Sequence, residues 1–130
     1  MNPINLICKK INLSTTETLI LDSVKKFTRN ELKKNIINHP YGNNTREIYK
    51  SLGDLGVLGP TIKTGNCLGL SYKMYGLIAK EIEYIDSGYR SLYSVQSSLV
   101  MNPINKYGSK YAIDKYIPNW QQVNISGVLG

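Results

Sequence analysis

Ser71-Tyr72-Lys73-Met74-Tyr75-Gly76-Leu77-Ile78-Ala79-Lys80-Glu81-Ile82-Glu83-Tyr84-Ile85 runs directly into Asp86-Ser87-Gly88-Tyr89-Arg90-Ser91 and then Ser94-Val95-Gln96-Ser97-Ser98-Leu99-Val100-Met101. The reading of this stretch decides the fold class. Met74, Leu77, Ile78, Ile82 and Ile85 recur at three- and four-residue spacing, the period of a helix face turned to a core. Ser71 opens that helix and Asp86-Ser87-Gly88 is read as its end. A second helix is expected from about Tyr89, carrying Leu92, Val95, Leu99 and Val100 inward. Pro103 is expected to kink or interrupt it, because proline lacks the amide proton and crowds the preceding turn.

The same period extends outward on both sides. Ser14-Thr15-Thr16-Glu17 reads as a capping box. Behind it Ile20, Val24 and Phe27 give an apolar face to about Ile36, with a stop before His39-Pro40. Asn44 is expected to cap a helix bearing Ile48, Leu52 and Leu55, ended by Gly56. Val57 to Leu70 is a glycine- and proline-punctuated loop. Ser109 caps a last helix expected to finish before Pro118, and Ile125, Val128 and Leu129 read as the start of a strand. The fold class is therefore all-α, ending at a first strand.

The chain has 130 residues, 42% of them hydrophobic, and a net charge of +7, enough for one domain with a modest core. No apolar run approaches the roughly 18–20 residues that span a bilayer, so no membrane insertion is expected. The first ten residues carry no pattern of a targeting peptide. Lys25, Lys26, Arg29, Lys33 and Lys34 fall on the outer face of one helix, opposite Val24 and Phe27, and read as a solvated face. No nucleic-acid motif accompanies them. Cys8 and Cys67 are far apart, without a CxxC or histidine partner, so neither a metal site nor a disulfide framework is expected. The single histidine, His39, sits beside Pro40 in a turn.

Beyond these patterns, several ordered landmarks carry a likeness. They are Arg46-Glu47-Ile48, Gly53-Asp54-Leu55-Gly56-Val57-Leu58-Gly59-Pro60-Thr61-Ile62, Tyr75-Gly76-Leu77-Ile78-Ala79, the Asp86–Met101 stretch, Tyr107-Gly108-Ser109 and Lys115-Tyr116-Ile117-Pro118. From about Leu13 to Gly130 the chain resembles the acyl-CoA dehydrogenases, most closely their glutaryl-CoA dehydrogenase subgroup. The resemblance implies the N-terminal helical domain of that fold over 13–124. An N-terminal extension would precede it at 1–12, and 125–130 would begin a β-barrel domain that is missing here. Asn102, where the family usually has histidine, and Trp120-Gln121-Gln122-Val123-Asn124 depart from the family pattern.

The resemblance also implies a chemistry. The complete protein would be an FAD-dependent dehydrogenase oxidising an acyl-CoA between Cα and Cβ. In the glutaryl case it would convert glutaryl-CoA to crotonyl-CoA with loss of carbon dioxide. Arg90, Ser91 and Arg46 are the implied substrate contacts, and Leu129 and Gly130 the start of the flavin-binding segment, with leucine in place of the usual phenylalanine. No catalytic residue is expected in this stretch, since the family's glutamate base comes from a later helical bundle. The implied partners are the acyl-CoA substrate, an electron-transfer flavoprotein and three further subunits of a homotetramer. The implied location is the mitochondrial matrix in a eukaryote or the cytoplasm in a bacterium. Two readings of the residues alone remain beside this: a non-catalytic helical acyl-CoA-binding or interaction module, and a gene remnant. Without the resemblance, Arg90 reads first as the i, i+4 partner of Asp86 at a helix start. The serines at 91, 94 and 98 form one small-residue stripe, suited to close packing or to the thin wall of an acyl pocket.

Overall fold

The computed structural model describes residues 11–121. The expected strand, the 124/125 boundary, and Leu129 and Gly130 lie outside the described residues. Within them the elements are helical: α1 (Thr15–Phe27), a π-helical segment (Thr28–Leu32), α2 (Lys33–Asn38), α3 (Thr45–Asp54), α4 (Tyr72–Glu83), α5 (Ser87–Ser94), a second π-helical segment (Val95–Met101), α6 (Asn102–Tyr107) and α7 (Lys110–Gln121).

The caps explain where these helices begin. Ser14 accepts the Glu17 amide at 3.2 Å while the Glu17 carboxylate accepts the Ser14 amide at 2.9 Å, so the capping box closes. Ser71 and Ser109 accept the amides of Met74 and Ala112. Asn44 differs from the expectation: its side chain makes no capping bond, and Thr45 instead donates its hydroxyl to the Gly42 carbonyl at 2.7 Å. At the far end of α3, Gly56 (φ +74) takes the left-handed conformation. The Val57 amide reaches back to Leu52 and the Gly56 amide to Gly53, a Schellman ending.

One core joins all of these elements. Val24, Phe27 and Leu32 meet Ile48, Tyr49 and Leu52 of α3, Val57, Leu58 and Ile62 of the following loop, Ile78 and Ile82 of α4, and Tyr89, Tyr93, Met101 and Ile117. The loop follows a fixed path because Gly59 donates its amide to the Ser97 hydroxyl at 3.0 Å. Gly59 has φ +57, and a Cβ there would stand 2.7 Å from the Met101 methyl.

Three expectations are corrected. The π segment over Val95–Met101 shifts which side chains turn inward. Gln96, Ser97 and Met101 are buried there, while Leu99 is 69% exposed and Leu92, Val95 and Val100 are only partly covered. A stripe drawn at helical period misses this because five-residue bonding advances the face differently. Pro103 does not interrupt the helix, which continues as α6 directly after the π segment. Pro118 likewise lies inside α7. The Asn119 side-chain amide donates to the Lys115 carbonyl one turn back.

Candidate functional site

The break between α4 and α5 is made by Asp86, whose role is the reverse of the one read from sequence. Its backbone is extended (φ −159, ψ 126) and its carboxylate accepts the Tyr89 amide at 2.8 Å, so Asp86 starts α5 rather than ending α4. The turn sends α5 back along α4. Three contacts fix the register of α4 against α5 and the π segment that continues it, while the Arg90–Ser94 bond lies within α5. Arg90 Nε donates to Glu83 Oε2 at 2.7 Å, Arg90 Nη1 to Ser94 at 3.4 Å, and Ser98 to the Tyr75 hydroxyl at 2.8 Å. The rings of Tyr75 and Tyr93 stack with centroids 5.3 Å apart.

Between these contacts runs a groove of about 470 Å³ lined by Gly76, Ala79, Lys80, Glu83, Tyr84 and Arg90. Its floor is small and apolar, and its charged end is the Arg90–Glu83 pair. Ser87 also donates its hydroxyl to Glu83. That bond first, then the Arg90 hydrogen bond and charge, hold the Glu83 carboxyl below the usual glutamate range. Glu83 is therefore a fixed anion that orients the guanidinium. With Nε and Nη1 engaged, Arg90 Nη2 meets no acceptor among the described residues. Nη2 is thus left as a charged donor for a carboxylate or carbonyl oxygen. The Asp86 partnership weighed from sequence is not formed, since Asp86 is engaged with the Tyr89 amide.

Ser91 is exposed beside Arg90. Arg46 stands apart. It is exposed in the first turn of α3 and lines a separate hollow of about 270 Å³ with Asn43, Asn44, Glu47 and Lys50. Ser91 follows Arg90 in sequence but is not among the residues that line its groove, and Arg46 lies on another hollow. Sequence reading missed Glu83 and Tyr75 as site residues. The seven-residue spacing of Glu83 and Arg90 was visible, but it crosses a helix break, where no i, i+4 rule applies. Burial pushes the Cys67 thiol up to about 11, which disqualifies it as a nucleophile. No group of three potential metal ligands clusters among the described residues, and no helix there is long and apolar enough to cross a membrane.

Residues 14–122 match the family model of the acyl-CoA dehydrogenase N-terminal domain. The chain belongs to the acyl-CoA dehydrogenase family. Among solved structures of the family, it superposes with a TM-score of 0.80 and 37% identity on a glutaryl-CoA dehydrogenase from Mycobacterium smegmatis. A structure of a glutaryl-CoA dehydrogenase from Mycobacterium smegmatis in complex with FADH2 gives 0.78 and 33%; each match covers 88% of this chain and 30% of the other. Isovaleryl-CoA dehydrogenase, mitochondrial, from Pongo abelii is 31% identical over 111 residues, 82% of this chain and 26% of that protein. The bovine isovaleryl-CoA dehydrogenase is 35% identical over 77 residues. The chain thus spans under a third of the length of these acyl-CoA dehydrogenases.

Proposed function

We propose that this chain is the acyl-facing first domain of an FAD-dependent acyl-CoA dehydrogenase of the glutaryl-CoA type. The observation that carries the reading is Arg90, oriented by Glu83 at the end of an apolar groove with its Nη2 unengaged among the described residues. Glutaryl-CoA ends in a free carboxylate, whose burial is costly unless a cation meets it. Arg90 is the candidate cation, with Ser91 beside it; Arg46 is the second candidate, on its own hollow. Identity of 33–37% with glutaryl-CoA dehydrogenase structures supports the assignment.

FAD, bound in the complete enzyme, would accept the hydride leaving Cβ. No described residue is assigned to it, since Leu129 and Gly130, which match the start of the family's flavin segment, lie outside the described region. Proton removal at Cα falls to a glutamate of the later helical bundle. Glu47, Glu81 and Glu83 do not serve: Glu81 and Glu83 are held in ion pairs, and Glu47 lines the separate Arg46 hollow. The role of this domain is to bind and orient the acyl end. An electron-transfer flavoprotein and a tetrameric assembly belong to the same proposal.

A second reading has its own support, in the identity with isovaleryl-CoA dehydrogenases. An isovaleryl group ends in methyls and offers Arg90 no terminal carboxylate. Grafting residues 13–130 onto the remaining domains of a glutaryl-CoA dehydrogenase separates the two. Turnover of glutaryl-CoA in clear preference to isovaleryl-CoA is expected. The opposite preference would favour the branched-chain reading, and binding of either thioester without turnover would favour a non-catalytic module.

A further inference from the structure

Gly76 has no evident reason within the described residues to be a glycine. It lies inside α4, exposed, at an interior position where glycine supports a helix less well than any residue but proline. Its backbone is not left-handed, so no conformational need selects it. A Cβ placed there meets nothing within 4 Å, so no neighbour excludes a side chain either. Backbone conformation and close approach are the usual grounds for a glycine, and neither applies among the described residues. The remaining ground is room for something that approaches from outside.

The groove beside Arg90 supplies a candidate. Gly76, Ala79 and Glu83 follow one another at three- and four-residue spacing on one face of α4, with Lys80 and Tyr84 along the adjacent row and Arg90 entering from α5. Of these lining residues only Gly76 lacks a side chain, so the groove floor is bare at that end. Gly76 stands two turns, about 10 Å, along the helix from Glu83. Glu83 in turn holds the guanidinium that meets a terminal carboxylate in the proposed function.

We propose that Gly76 is a specificity-determining residue: its missing side chain keeps the far end of the groove open to the thioester end of an acyl chain whose carboxylate is held by Arg90. The inference rests on the proposed function and adds to it a residue that governs which acyl thioesters enter. A larger side chain at this position strengthens the helix and narrows the groove. Helix stability and substrate access are therefore opposed at one residue, which is why their separate measurement is informative.

Two variants test it. In the 130-residue chain, Gly76→Ala is expected to raise the melting temperature by about 2–5 °C through helix propensity alone. A lower melting temperature would reveal a local packing reason for the glycine and overturn the proposal. In the chimera of residues 13–130 with the remaining domains of a glutaryl-CoA dehydrogenase, Gly76→Leu is expected to raise KM for glutaryl-CoA about tenfold, with kcat little changed and no fall in melting temperature. A chimera that melts earlier with Gly76→Leu overturns the proposal, since the space then belongs to another part of the enzyme. A parent chimera inactive on glutaryl-CoA overturns both this role and the proposed function. A parent that turns glutaryl-CoA over, matched by Gly76→Leu at unchanged KM, leaves the proposed function standing and overturns only the role of Gly76.

Discussion

Two arginine–glutamate pairs hang from the same helix, and they differ in almost everything but distance. Arg29 meets Glu81 at 2.8 Å, and Arg90 meets Glu83 at 2.7 Å. Glu81 is buried, with its side chain only 8% exposed. Its arginine lies over the Tyr84 ring at 4.9 Å and donates to the Thr28 hydroxyl inside the first π segment. Although Glu81 Oε2 is close to the guanidinium, it is off the axis of a good hydrogen bond; the charge contact is what satisfies it. The second pair has 37% and 46% of its side chains exposed and borders a groove. Burial of the glutamate decides what the pair is for: the covered Glu81 ties α4 to the first π segment, and the open Glu83 pair is available to a ligand.

The comparison breaks most easily at Arg29. Arg29→Ala strands a buried carboxylate and should lower stability by about 3 kcal/mol, the low end for a broken buried pair because Arg29 itself is 41% exposed. Chemical denaturation measures this, and adding Glu81→Gln should recover part of the loss. Equal midpoints for Arg29→Ala and the parent would show that the pair does not tie the helices together.

A smaller effect sharpens the register of the open groove. Ser98→Ala removes the hydroxyl that donates to Tyr75 and should cost about 1 kcal/mol. The Tyr75–Tyr93 stack should survive in the near-ultraviolet spectrum, because ring packing rather than this bond holds it.

The smallest effect concerns acid. Glu83 titrates below the usual glutamate range in the folded chain, so its contribution is fully present above that range and fades as pH falls through the lowered value. Ser87→Ala should raise the Glu83 titration midpoint, read by carbon NMR of the carboxyl, with little change in the neutral-pH melt. An unmoved midpoint would remove Ser87 from the set that fixes the anion.

Much of the fold was legible because it is written locally. The Ser14–Glu17 box, the Ser71 and Ser109 caps and the Met74–Ile78–Ile82 stripe need only nearest-turn chemistry. Asp86-Ser87-Gly88 was misread because residues that disfavour a helix interior also favour a helix start, and only the direction of the Asp86 side chain distinguishes the two. The π segments escaped detection since the hydrophobic period they alter is short. For that reason Leu99 was placed inside and Gln96 was not. At the site, Arg90 and Ser91 stood out through a family likeness. Glu83 did not, because its partnership with Arg90 depends on the turn that folds α5 back on α4.

The claim that matters most is that Arg90 serves a ligand and Arg29 serves the fold. In the chimera carrying residues 13–130, Arg90→Ala should lower kcat/KM for glutaryl-CoA by about ten- to a hundredfold. Its melting temperature should stay close to that of the parent. Early melting with normal turnover would contradict the account and make Arg90 a structural residue like Arg29.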